Sequence, residues 1–306
     1  APRLVGMDPY DREDILRAMD FRGNNCARSG VDLALHDLLG KALGVSVSTL
    51  LGGHSRTRVP VAVEIAGGPP DEMAKHCAEC VENGILAFKP KIGGFPQQDA
   101  DRLKAIREAV GPNVSIRADA NQGYSPKEAI RLCRLAEKYD VGLDLLEQPV
   151  PYWDLDGMAE VKRSVDTLIE ADESAYTIHD VMNIIRKNAA DVINIKIGKA
   201  GGLYNAKKIA ALTEAAGLKC VMGTAFGLGP KIAAKLHLAA STAIVTDAVE
   251  FTEIIIHPTL SQEPYGADFA PPPDSAGCMP VPTGPGLGIE LDTLLGEKYK
   301  FEVDLS

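Results

Sequence analysis

No stretch of this 306-residue chain is apolar for long enough to cross a membrane, and no cationic-then-apolar signal segment opens it. It has no Arg/Lys-rich run. The formal net charge is -10 and the isoelectric point about 5.2, so nothing offers nucleic acid a footprint. The six cysteines, Cys26, Cys77, Cys80, Cys133, Cys220 and Cys278, make no framework typical of a secreted domain, which points to a reducing cytoplasm. Cys77 and Cys80 share a CxxC spacing, but no second pair or spaced histidines accompany it. They fall in a helical pattern and read as helix residues rather than half a zinc site. Low-complexity tracts are absent. So is a glycine-rich dinucleotide fingerprint after the first strand, which argues against a doubly wound open sheet. The first residue is Ala and the pattern starts in mid-fold, so an N-terminal piece is expected to be missing.

What is present is a rhythm. After a helical pattern near residues 12–19 and a longer one over 24–43, apolar β-branched runs alternate with helical patterns. The runs predict strands over 59–65, 85–91, 114–119, 143–147, 167–171, 192–197, 219–222 and 248–252. Helices are predicted over 71–83, 97–110, 126–138, 154–164, 178–187, 202–216 and 228–241. Ser125 followed by Pro126 is a helix start, and Gly84, Gly111, Gly142 and Gly217 stand where helices stop. Units of about thirty residues read as a modified TIM barrel, (β/α)7β, over 58–253. Residues 254–306, rich in Pro and Gly with one strand-like stretch over 288–291, are expected to leave the barrel and pack elsewhere.

In such a barrel the chemistry gathers where the strands end. The second strand ends in Lys91, the third in Asp119 and the fourth in Glu147. The fifth is followed by Asp172 and Glu173, and the sixth carries Lys196. From 91 to 119, 119 to 147, 147 to 172 and 172 to 196 the separations are 28, 28, 25 and 24 residues. One ionisable group per unit, always at the same phase, is not the distribution of solvated surface charge. Asp119, Glu147 and Asp172 would repel one another at a barrel mouth, and a hard cation with oxygen ligands, Mg²⁺ or Mn²⁺, resolves that. Lys91 and Lys196 would flank a substrate carbon from opposite sides. Lys89, two residues from Lys91 on the same strand face, is expected with burial to depress the pKa of one of the pair.

These residues carry a resemblance. Lys89-Pro-Lys91, Arg117-Ala-Asp-Ala-Asn-Gln122, Leu146-Glu-Gln-Pro149, Ile169-Glu-Ala-Asp-Glu-Ser174 and Asn194-Ile-Lys-Ile-Gly-Lys-Ala-Gly-Gly202 resemble the enolase superfamily, in its muconate-lactonizing-enzyme subgroup. Residues 30–41 and 50–53 resemble the end of that family's N-terminal α+β capping domain, most of which lies outside this chain. Residues 1–57 would be its C-terminal part, with 254–306 packing back on it. The resemblance implies metal ligation by Asp119, Glu147 and Asp172, acid/base roles for Lys91 and Lys196, tuning of Lys91 by Lys89, and support from Asn121 and Glu173. It also implies a small-molecule carboxylate substrate and a homo-oligomer.

The reaction implied is removal of the proton alpha to a carboxylate through a metal-stabilised enolate. The symmetric lysine pair favours a racemase or epimerase of an amino-acid derivative. Dehydration of a hydroxy acid or hydroxy amino acid, such as a hydroxyproline, and muconate-type cycloisomerisation use the same intermediate. A non-catalytic structural barrel is the reading of another class. Family members that epimerise dipeptides carry two aspartates around one residue at the eighth strand. Here the stretch is Glu250-Phe-Thr252, with Glu253 after it. Glu250 is read either as a substrate contact or as an ordinary strand-end carboxylate. Thr224 and the glycines around it read either as a place where backbone approaches substrate or as a plain turn. His237 reads as a helix residue and not a ligand, and His257 is left without a role.

Overall fold

The computed structural model describes residues 2–20, 23–225, 227–251 and 273–290. Predicted features on Thr252, Glu253, His257 and residue 291 lie outside the described residues.

The N-terminal part contributes α1 (Arg12–Ala18), α2 (Asn25–Leu43) and the single turn α3 (Val47–Leu50). The barrel then runs as β1 (Arg58–Ile65), α4 (Pro70–Glu82), β2 (Ala87–Pro90), α5 (Pro96–Val110), β3 (Ser115–Asp119), α6 (Pro126–Lys138) and β4 (Leu145–Glu147). It continues as α7 (Leu155–Ser164), β5 (Leu168–Ala171), α8 (Ile178–Lys187), β6 (Val192–Ile195), the short α9 (Ile197–Ala200), α10 (Leu203–Ala215), β7 (Lys219–Met222), α11 (Gly229–Ala240) and β8 (Val249–Glu250). A further strand, β9 (Cys278–Pro280), follows.

The eight barrel strands are parallel, in the order β7-β6-β5-β4-β3-β2-β1-β8, a nearly closed (β/α) barrel. Four helices begin with Pro in their first turn, where its missing N–H costs nothing. Ser125 and Glu128 form a capping box on α6, as do Thr177 and Asp180 on α8. Both Cys77 and Cys80 lie buried in α4, as free thiols.

Strand alternation sorts the side chains into two layers. Val61, Val63, Ile116, Leu146, Ile169 and Ile193 face outward and pack under the helices in the main core. The inward residues are different. Leu145, Leu168, Val192 and Val221 form a small separate apolar cluster that floors the barrel. Above it most inward positions are charged. Register pairs Asp119 with Glu147, Glu147 with Glu170, and Glu64 with Lys89, so these side chains share one face.

Several predicted boundaries shift by a residue or two, and three differences matter here. β2 stops at Pro90, which has no N–H to continue a ladder, and Lys91 makes an isolated bridge to Asp119. β6 stops at Ile195, and Lys196 becomes the residue before the unpredicted α9. The late strand forms at Cys278–Pro280, antiparallel to β1, rather than over 288–291, of which the described part has no strand. The segment around Gly286 reaches the N-terminal part. The Gly286 N–H donates to the Val45 carbonyl (2.9 Å), and the Val47 N–H donates to the Gly286 carbonyl (2.8 Å). Buried Asp32 on α2 accepts the N–H groups of Leu203 (2.6 Å) and Tyr204 (3.3 Å) at the start of α10, tying α2 to the barrel. Among the described residues no helix is long and apolar enough to cross a membrane.

Candidate active site

Because the strands are parallel, Lys91, Asp119, Glu147, Asp172 and Lys196 all emerge at one rim. Lys91 Nζ stands 2.7 Å from Asp119 Oδ2 and 3.2 Å from Glu64 Oε1. Lys196 Nζ stands 2.5 Å from Asp172 Oδ2 and 3.9 Å from Glu147 Oε1. The two lysines therefore engage opposite ends of a carboxylate row, one on the β1–β3 side and the other on the β4–β5 side.

Lys89 sits beneath that row, 1 % exposed. Its Nζ lies 2.8 Å from Glu250 Oε2, 3.1 Å from Glu147 Oε2, 3.1 Å from Glu64 Oε1 and 3.6 Å from Asp119 Oδ2. Burial works against its charge, but the surrounding carboxylates outweigh burial and hold its pKa well above the usual lysine value. The same balance corrects the expectation of a depressed pKa in the Lys89/Lys91 pair. At Lys91, burial and the Lys89 charge both pull downward, yet Asp119 and Glu64 leave the pKa raised. Lys196 is likewise raised, its burial overcome by Asp172 and Glu147. Among the lysines at this rim the one that is lowered is Lys199, where burial dominates and Lys196 adds to it, against the pull of Asp172.

Each carboxylate of the row is tethered. Asp119 Oδ1 accepts the Asn121 N–H (2.8 Å), and Glu147 Oε1 accepts Asn194 Nδ2 (3.0 Å). Asp172 has Lys196 on one oxygen and Lys199 on the other, and Lys199 also donates to the Asp172 carbonyl (2.6 Å). Burial pushes Asp172 up, but those two ammonium groups hold it below the ordinary carboxylate range. Glu147 is the reverse. Burial raises it, Lys89 opposes, and the nearby Asp119, Glu170 and Asp172 raise it further.

These neighbours test the fit to a metal. The neighbouring acids push the Glu147 carboxyl up, and the donors at this rim are all oxygen, as a hard divalent cation requires. Among the described residues no three acidic, His or Cys side chains already stand as a ligand set. Lysine ammonium groups hold the oxygens instead. The residues fit the cation by chemistry and by placement at adjacent strand ends.

The backbone is strained where it leaves these strands. Of six non-glycine residues with left-handed φ among those described, Asn121, Gln122 and Gln148 lie within three residues of the strand ends at Asp119 and Glu147. Asn121 Nδ2 donates to Glu173 Oε1 (3.2 Å), on the outer side of the rim. Glu173 also lines a cavity of about 530 Å³ with Gln122, Tyr152, Trp153 and Tyr176.

Glu250 does not look outward. Its carboxylate is buried against Lys89 and accepts the Thr224 N–H (3.0 Å), so it serves as an internal counter-ion. Thr224 Oγ1 accepts Lys235 Nζ (2.9 Å), which places Thr224 inside the same network. Gly223 makes room for Lys196, since a Cβ there would lie 2.6 Å from Lys196 Cε and inside contact with the Asn194 amide. His237 is buried in α11 between Ser48 and the Leu287 carbonyl.

Several residues of the network went unread in the sequence. Glu64 lies inside the first strand rather than at its end, though its phase matches Lys89. Lys199 sits three residues after Lys196 in the quoted motif. Glu170 is buried two residues before Asp172, and burial, then Glu250, pushes its pKa up to about 8 against Lys89 and Arg117. Lys235, an interior lysine in the apolar pattern of α11, was a legible signal.

Comparison with known proteins agrees with this architecture. Residues 72–294 match the enolase C-terminal domain-like family, and residues 1–52 match the mandelate racemase / muconate lactonizing enzyme N-terminal domain. The chain is 39% identical over 245 residues to an L-Ala-D/L-Glu epimerase of Clostridium acetobutylicum, covering 79% of this chain and 68% of that one. It superposes on the crystal structure of N-succinyl Arg/Lys racemase from Bacillus cereus with a TM-score of 0.91 and 30% identity, over 99% of this chain and 80% of that one. The dipeptide epimerase of Enterococcus faecalis, crystallised with Mg and the dipeptide L-Leu-L-Tyr, gives 0.85 and 33% over 93% and 79%. These relatives are enzymes, which sets aside the non-catalytic reading. The chain belongs to the mandelate racemase / muconate lactonizing enzyme family, in the muconate-lactonizing-enzyme subgroup, and is an enzyme of the enolase superfamily.

Proposed function

We propose that this enzyme racemises or epimerises an amino-acid derivative by moving the proton alpha to its carboxylate, with Lys91 and Lys196 as the acid/base pair and Asp119, Glu147 and Asp172 as ligands of Mg²⁺. The observation that carries the reading is the placement of the two lysines at opposite ends of one carboxylate row. The epimerase and racemase names of the relatives support it over dehydration or lactone chemistry. The complex of one relative with Mg and a dipeptide supports the cation and a small carboxylate substrate.

A divalent cation bound by the three carboxylates supplies electrostatic stabilisation of charge developing on the substrate carboxylate, and it draws negative charge away from the lysines. The rest is done by the chain. The Nζ of one lysine, neutral, takes the alpha proton, and the Nζ of the other, protonated, returns a proton to the opposite face. In the reverse direction the roles exchange. Lys89, kept cationic beneath them, repels charge on Lys91 and favours its neutral form. Asn194 holds the orientation of Glu147.

The test is deuterium exchange. Dipeptides and N-acyl amino acids are incubated with the protein and Mg²⁺ in D₂O and followed by proton NMR. Loss of the alpha signal, with the epimer or antipode appearing on chiral chromatography and both abolished by EDTA, is expected. Silence across a broad panel overturns the proposal.

A further inference from the structure

Glu147 and Asp172 come from different strands, yet one side chain spans their backbones. Gln148 follows Glu147 directly and is fully buried, with a left-handed φ of 32°. Its Oε1 accepts the N–H of Asp172 (3.0 Å) and of Ser174 (3.1 Å). Its Nε2 donates to the Val150 carbonyl (2.9 Å) and to Ser174 Oγ (2.9 Å). The orientation of the amide follows from its partners. Two backbone N–H groups can face only the oxygen, and a carbonyl can face only the nitrogen. The main chain adds a bond on either side: the Gln148 N–H donates to the Glu170 carbonyl (2.9 Å), and the Gln148 carbonyl accepts the Gln122 N–H (2.8 Å).

We propose that Gln148 is a positioning residue that sets the spacing of Glu147 and Asp172 and thereby the affinity of the site for its divalent cation. This rests on the metal reading above. The strands themselves do not fix Asp172, because β5 ends at Ala171 and the carboxylate stands on the first residue beyond the ladder. The amide of Gln148 replaces the missing strand bonds there, so the loop that carries Asp172 is tied to the residue next to Glu147. Loss of that tie leaves two buried N–H groups unpaired and lets the loop shift relative to β4. A buried amide in a purely structural role would lower stability without singling out the cation.

The experiment measures Mg²⁺ affinity by isothermal titration calorimetry, with turnover as a function of Mg²⁺, for the parent, Gln148→Met, Gln148→Asn and Leu103→Ala. Leu103 is buried in the main core on α5, away from the rim, so its variant is destabilised with the cation site intact. Gln148→Met is expected to weaken Mg²⁺ binding about 10- to 100-fold, the usual effect of removing a group that orients a ligand. The Mg²⁺ concentration for half-maximal turnover rises with it, and kcat at saturation falls less. Gln148→Asn keeps an amide but withdraws it by one bond, and it weakens binding in the same direction even where Met folds poorly. Leu103→Ala is expected to bind within about threefold of the parent. Gln148 variants that bind Mg²⁺ like the parent, or a Leu103→Ala loss of equal size, overturn the inference. A parent that binds no Mg²⁺ overturns the metal reading itself.

Discussion

Lys89 Nζ stands 2.8 Å from Glu250 Oε2, a residue 161 positions further along the chain, and this contact decides what the eighth strand contributes. Glu250 neutralises a buried lysine. Removing one partner of a buried charge pair costs about 3–5 kcal/mol, because the other is left uncompensated. Lys89→Met is therefore expected to lose about that much stability, read from urea unfolding midpoints. Lys89→Met with Glu250→Gln recovers only part of it, since Glu64, Glu147 and Asp119 remain around the site.

The opposite placement of Lys91 and Lys196 predicts stereochemistry. Replacing either by Ala is expected to cut full racemisation by about 10²- to 10⁴-fold. Each variant retains alpha-deuterium exchange for one antipode at most, and the retained antipodes differ. Proton NMR of separate L and D substrates in D₂O reads this directly. Loss of the same antipode in both variants would place the lysines on one side of the substrate.

Gly223 predicts a packing effect on catalysis. A methyl group there meets Lys196 Cε and the Asn194 amide. Gly223→Ala is expected to cost about 1–3 kcal/mol in overpacking and, by displacing the Lys196 ammonium, to lower turnover by about 10²-fold. Initial rates together with thermal unfolding separate the two. Unchanged turnover would show that Lys196 does not need the space.

His237 predicts a pH dependence of stability. Burial pulls its pKa down to about 4, the hydrogen bond to the Leu287 carbonyl opposes, His54 adds to the fall and Asp37 works against it. The unfolded side chain takes a proton near 6.5 while the folded one does not. The unfolded state thus binds more protons between those values, and stability rises with pH across that window. The contribution is fully present above pH 6.5 and is lost as pH falls toward 4, to the order of 3 kcal/mol. His237→Gln is expected to flatten that slope in urea midpoints measured from pH 7 to 4. An unaltered slope would assign it to other groups.

Local chemistry was enough to read the scaffold and the rim. Ser125 with Pro126 starts a helix because an oxygen acceptor and a preset φ act within four residues. Lys91, Asp119, Glu147, Asp172 and Lys196 recur at one phase because each βα unit of a parallel barrel delivers its last residue to the same end. The bearings of the side chains were not local. Glu64, Lys199 and Glu170 join the network through partners on other strands and helices, and no spacing rule encodes which of two faces a distant carboxylate will find. The signs of the lysine pKa shifts reversed for the same reason. Two adjacent ammonium groups predict depression, but charge energies sum over every neighbour at its actual distance, and around Lys89 and Lys91 the folded barrel places more acids than bases.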